Sequence, residues 1–193
     1  MMANGHANAL RSYRQYGASI RRGSVKRTSI TIRDAQSRDF DQLLKLFDDV
    51  AAERKWIATE PGFDKELYRK TWQGIIDGGG GALFVACDED EVVGSLSIFV
   101  TQSGEHDLGM LVRQERRGQG VGTALVRKAL NWAQRHKVPA LGLGVFAHNE
   151  AAIGLYEKMG FVHVGRREQS MTRRSGETLD VIVMQKAIGP DTI

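Results

Sequence analysis

A single cysteine, Cys87, stands in a chain of 193 residues, so an internal disulfide framework is excluded. That usage fits a reducing compartment, and a cytoplasmic location is expected. Cys87 closes the apolar run 82–87, where a buried, inert thiol is expected in place of a nucleophile. No apolar run approaches the ~20 residues of a membrane span, so a soluble chain without a membrane partner is expected. The five histidines, His6, His106, His136, His148 and His163, fall in no metal-ligand spacing, and no metal is expected. Acidic residues are missing altogether from residues 1–28, which carry Arg11, Arg14, Arg21, Arg22, Lys26 and Arg27.

That missing acid locates the charge. The formal net charge is +4, but without those six cations the remainder holds 21 Lys and Arg against 23 Asp and Glu and is formally −2. The basic balance therefore belongs to segment 1–28. A flexible basic arm is its plain reading. An acid-free start with Arg and Ser is also similar to an organelle transit peptide, whereas a secretory signal is excluded by the missing apolar stretch. No nucleic-acid-binding motif accompanies the arm, so no nucleic-acid partner is expected.

The length suits one domain with a substantial core, expected over residues 29–187 behind the tail 1–28. Residues 29–33 alternate as a short strand, and 37–54 carry Phe40, Leu43, Leu44, Phe47, Val50 and Ala51 at a helical period. A second helix is expected over 64–77, with Asp64 as N-cap and Leu67, Trp72, Ile75 and Ile76 on its apolar face. The glycines 78–81 then read as a flexible connector. Runs 82–87 and 92–101 flank Asp88-Glu89-Asp90-Glu91 as a hairpin, and 107–112 continues the meander. Residues 120–136 form a helix with Val121, Leu125, Ala129 and Ala133 on one face, and 140–147 is an apolar strand expected to be buried on both faces. Asn149 caps a last helix that Gly160 ends, and 161–166 and 179–184 are closing strands around Ser175-Gly176. The class is α/β, or α+β.

The chemistry concentrates where strand 107–112 passes into helix 120–136. Gly118, Gly120 and Gly122 remove side chains just where the first helical N–H groups have no intrahelical partner, so backbone donors converge on an anion, with Arg116 and Arg117 beside them. A phosphate group is the natural ligand. The dinucleotide fingerprint fails in both registers, because Thr123 or Leu125 stands where its third glycine should be.

What does match is Arg-x-x-Gly-x-Gly, as Arg117, Gly120 and Gly122, which resembles the pyrophosphate signature of the GNAT superfamily of acetyl-CoA-dependent N-acetyltransferases. A second block, from Val145 through Asn149 and Tyr156 to Gly160-Phe161, is similar to the strand–Asn–helix–Tyr segment of the same enzymes. The ending around Gly165, Arg173 and Asp180 resembles bacterial members that acetylate free L-amino acids or protein N-termini. The resemblance implies a mixed, mostly antiparallel sheet of about seven strands with flanking helices, splayed between strands 107–112 and 140–147. It implies acetyl-CoA as cosubstrate, with its pyrophosphate on Arg117, Gly118, Gln119, Gly120, Val121, Gly122 and Thr123, and its pantetheine amides on strand-edge groups at Leu111 and Val112 and on Asn149.

The same resemblance implies direct attack by a primary amine in a ternary complex. The acceptor is a free amino acid, a protein N-terminus or another small-molecule or peptide amine. Tyr156 is placed to protonate the departing thiolate, or else is a core aromatic; Asn149 is explained as well by helix capping. Asp107 is the candidate base, with Glu105 or a water chain as alternatives, and Arg54, Trp56 and Glu60 are candidates for the substrate wall. A noncatalytic acyl-CoA-binding module is the rival reading. Oligomeric state is open, a homodimer included.

Overall fold

The computed structural model describes residues 30–189, so the basic segment 1–28 lies outside the described residues. Seven strands and four helices follow one another as β1 (Ile30–Asp34), α1 (Phe40–Ala52), α2 (Lys65–Ile76), β2 (Ala82–Asp88), β3 (Glu91–Val100), β4 (His106–Val112), α3 (Val121–Arg135), β5 (Ala140–Phe146), α4 (Glu150–Lys158), β6 (Val162–Thr172) and β7 (Thr178–Ala187). They build one mixed sheet in the order β1-β2-β3-β4-β5-β7-β6. All neighbours are antiparallel except β4 and β5, which run parallel and pair only at His106↔Leu141 and Asp107↔Gly142. Beyond Asp107 the two strands part.

Alternation along the strands sends side chains to two cores. On one face α3 and α4 cover Leu96, Ile98, Leu108, Leu141 and Leu143, with Val121, Leu125, Ala129 and Tyr156 facing them. On the other, α1 and α2 cover Leu83, Val85 and Leu111 with Leu43, Leu46, Val50 and Trp72. Cys87 is buried in this second core. Asp64 caps α2 as expected, accepting from the Leu67 N–H at 3.0 Å. The apolar face of α2 is set differently, because Leu67 is 58% exposed and Tyr68 takes its place beside Trp72, packing edge-on against Phe47 and Phe63. Three aromatic rings bury more area than one leucine offers.

Two further expectations are corrected. The glycines after α2 are more than a flexible connector: a Cβ at Gly81 would collide with the Ile98 carbonyl of β3, and one at Gly79 would sit 2.7 Å from the Gly74 carbonyl. Strand β5 is not buried on both faces. Leu141, Leu143 and Val145 point into the first core, but on the other face only Phe146 is buried, Gly142 being half-buried and Gly144 exposed. Glycine supplies no side chain to bury, so an apolar run need not build a core on both sides of the sheet. Strands β6 and β7 also run several residues longer than the sequence suggests, pairing from Val162↔Gln185 to Thr172↔Thr178.

Candidate active site

The parting of β4 and β5 leaves a cleft of about 510 Å³. Its floor is Met110, Leu111 and Val112 of β4. One wall is Val50 of α1 with Trp56 and Ile57; the other is Asn149, Ala151, Ala152 and Leu155 at the start of α4. At its end stand Arg116, Arg117, Gly118, Gly120, Gly122 and Thr123, where the chain turns into α3.

That turn is built from backbone alone. Gly118 and Gly120 have φ of +71° and +84°, a region that disfavours side chains, and a Cβ on either would meet no protein atom within 4 Å. The space beside them is open, and a ligand has access to it. Gly120 is the N-cap of α3 and no side chain caps that helix. The first intrahelical bond runs from the Ala124 N–H to the Gly120 carbonyl at 3.0 Å, which leaves the N–H groups before it as donors at a positive helix end. Gly122 has a different reason: a Cβ there would press on Leu155 at 3.0 Å and Met110 at 3.3 Å, so it sets how closely α3 approaches α4 and β4.

The two arginines are spent on protein. The Arg117 guanidinium donates to both Glu53 oxygens at 2.6 and 2.7 Å, and its Nε donates to the Val112 carbonyl at 2.8 Å. Arg116 pairs with the buried carboxylate of Asp88. Both Arg117 and Val112 border the cleft; splaying β4 from β5 leaves the Val112 carbonyl without a strand partner, and the Arg117 Nε donates to it. Gln119 turns away, donating to the Glu115 carbonyl at 2.6 Å, and the Val121 side chain is buried in the first core, so either residue offers the cleft backbone only.

Trp56 alone of the three wall candidates lines the cleft. Its indole N–H donates to Glu53 at 2.6 Å, and its ring lies under Arg117. Glu60 instead accepts the Arg174 backbone N–H at 3.1 Å, and Arg54 follows α1 at a φ of +50°. Glu53 was not legible as part of the site, since nothing in a local pattern links it to an arginine 64 residues away.

Asn149 does two things at once: its side chain accepts from the Ala152 N–H at 3.2 Å and it borders the cleft. Tyr156 does not border the cleft. It lies one turn beyond Ala152 on the same face of α4, buried, with its ring edge-on to Phe161 at 5.6 Å. Burial pushes its hydroxyl well above the ordinary tyrosine range, which keeps it protonated. Asp107 is half-buried at the last paired position of β4, its carboxylate lying over Gly142, where a Cβ would collide with it. Burial raises its pKa, Glu105 adds to that, and Arg167 opposes it. Asp107 and Leu111 share a face of β4, so the carboxylate sits on the α1–α2 side of the sheet. Among the described residues no cluster of three or more potential metal ligands occurs, and no helix is long and apolar enough to cross a membrane.

The model of the acetyltransferase (GNAT) family matches residues 44–161. The peptidyl-lysine N-acetyltransferase YjaB of Salmonella typhimurium is 41% identical over 81 residues, 42% of this chain and 50% of that protein. The L-methionine sulfoximine/L-methionine sulfone acetyltransferase of Pseudomonas aeruginosa is 27% identical over 168 residues, 84% of this chain and 96% of that one. Among solved structures, the ribosomal-protein-alanine N-acetyltransferase from Brucella melitensis superposes with a TM-score of 0.74 at 30% identity, over 81% of this chain and 99% of its own.

Proposed function

This chain belongs to the acetyltransferase (GNAT) family, and from that premise we propose that it moves an acetyl group from acetyl-CoA to a primary amine by direct attack within the cleft between β4 and β5. Acetyl-CoA is the cosubstrate. The observation that carries the reading is the parting of two parallel strands beyond Asp107 into a cleft that ends on an uncapped, glycine-built helix start. A diphosphate needs several converging N–H donors and no side chain in the way, and Gly118, Gly120, Gly122 and Thr123 offer that combination. The amide groups of a pantetheine arm need strand-like partners, and the cleft-facing edge of β4 at Met110 and Val112, on the side away from the β3 pairing of Leu111 with Ser95, supplies them as an added strand would.

The remaining groups divide the proton work. The acceptor has to be neutral to attack; at pH 7 an α-amine with a pKa near 8 is neutral in about one molecule in ten, a lysine near 10.4 in about one in two thousand. Asp107, raised by burial, takes that proton directly or through water. Tyr156 keeps its proton because ionising it in the core is unfavourable, which fits a donor to a departing thiolate. Asn149 holds the start of α4 in place beside the cleft.

Thiol release from acetyl-CoA across a panel of amines tests the reading. Turnover that depends on the amine is expected. Tight acetyl-CoA binding without turnover of any amine would make the domain a noncatalytic acyl-CoA binder.

A further inference from the structure

The turn joining β6 to β7 buries a cation that its neighbours do not satisfy. Arg173 leaves only 3% of its side chain exposed, yet its Nε and Nη1 make no hydrogen bond. Its Nη2 lies 3.5 Å from the Ile57 carbonyl, the outer limit of such a bond. Glu177 Oε2 is 3.4 Å from Nε, an ion-pair distance without hydrogen-bond geometry, and the Glu177 side chain is 56% exposed. On another side the guanidinium lies over the Phe146 ring at 5.5 Å. A buried guanidinium with idle donors is costly, and its planar fork matches a carboxylate better than any other common group.

The position of Arg173 connects it to the cleft. Its backbone is fixed, its N–H donating to the Glu177 carbonyl and its own carbonyl accepting from Gly176, each at 2.9 Å. The next residue fastens the turn to the loop after α1, with the Arg174 N–H on Glu60 at 3.1 Å and its Nη1 on the Pro61 carbonyl at 3.2 Å. Ile57, which Arg173 approaches, is itself a wall of the cleft. Phe146 ends β5 where that strand has left β4, and it shares a strand face with Gly142, under the Asp107 carboxylate. The idle donors thus stand near the border between the cleft wall and the Gly142 face of β5.

We propose that Arg173 receives the carboxylate of the acceptor, so that the substrate is a small amine carrying a free carboxylate, an amino acid, and not a lysine within a peptide chain. The proposal rests on the acetyltransfer reading above and narrows its acceptor. The apolar surroundings of Ile57 and Phe146 keep water from competing for the guanidinium, which strengthens a charge-assisted pair.

The test uses acceptors that differ only in that carboxylate: L-methionine against L-methioninamide, and L-lysine against L-lysinamide, on the full chain with saturating acetyl-CoA. A neighbouring carboxylate raises the pKa of an α-amine, so the neutral fraction favours the amide, and any preference for the acid is recognition. The expected kcat/KM ratio of acid to amide is at least about thirtyfold in the unaltered protein. It should fall to about one in Arg173→Gln, recover in part in Arg173→Lys, and leave acetyl-CoA affinity by calorimetry unchanged in both. A ratio of one or below in the unaltered protein, which needs no variant to fold, overturns the proposal, as does an unchanged ratio in Arg173→Gln. Turnover of amides alone sinks only this inference; turnover of no amine at all sinks the acetyltransfer reading and this inference with it.

Discussion

The guanidinium of Arg117 and the carboxylate of Glu53 meet in two parallel hydrogen bonds of 2.6 and 2.7 Å, joining the start of the glycine turn to the end of α1. Trp56 adds its indole N–H to the same carboxylate, so one acidic side chain ties the anion-binding turn to the cleft wall. Arg117 holds the Glu53 carboxyl below the usual carboxylate range.

Glu53→Gln should therefore loosen both. Removing one partner of a half-buried bidentate pair is expected to cost about 1–2 kcal/mol of stability at pH 7 and to weaken acetyl-CoA about threefold to tenfold. A carboxyl lowered in the folded state stabilises above its unfolded pKa, and that contribution disappears as pH falls through the lower folded value. The Tm difference between variant and parent should thus be full at pH 7 and shrink toward pH 3. A difference constant across that range would assign the effect to packing.

Asp107 has the opposite sign. Its pKa is raised in the fold, so below its unfolded pKa the carboxyl is protonated in both states and costs nothing, and the penalty grows as pH rises through the folded value. Asp107→Asn should gain Tm relative to the parent as pH is raised from about 3.5 to neutrality. Its rate should drop at neutral pH and recover as rising pH deprotonates the amine without help, sooner for an α-amine than for a lysine. A deficit independent of pH would leave Asp107 as a positioning group.

Tyr156→Phe keeps the ring and its edge-on contact with Phe161. If the hydroxyl protonates the departing thiolate, kcat falls by at least about tenfold with acetyl-CoA affinity nearly intact, because that bond matters most in the transition state. Parent-like rates would make Tyr156 a core residue and no more.

A chain truncated to begin at Thr28 should retain its kcat/KM for the best amine. Strand β1 begins at Ile30, and every residue assigned to the cleft lies beyond it. Loss of more than about tenfold, ~1.4 kcal/mol of transition-state stabilisation, would bring the basic arm into the site.

The sequence carried the element order well because its signals are local. Asp64 and Asn149 cap the helices they were expected to cap, and the glycine turn precedes α3 where spacing put it. Leu67 misled because helical period does not say which of two neighbouring faces finds aromatic partners, and Phe47, Phe63 and Trp72 chose Tyr68. Within the site, the cleft floor at Leu111 and the backbone of the turn were legible as motif positions. Glu53, Ile57 and Arg173 were not, since each takes its meaning from a partner more than fifty residues away that only the folded sheet brings near. The pairing of Arg117 with Glu53 is hidden for the same reason.

A diphosphate held by the backbone of residues 118–123 is the central requirement of the proposed function, and calorimetric titration of acetyl-CoA into the parent and Gly120→Ala tests it most directly. A Cβ at Gly120 meets no protein atom, so the variant bears only the strain of its φ of +84°, roughly 1–2 kcal/mol, and should remain folded by circular dichroism. A saturable site is expected in the parent, with at least about tenfold weaker binding in the folded variant, because the methyl group occupies the diphosphate's place. Equal affinity in the two proteins, or no binding to the parent, would contradict it.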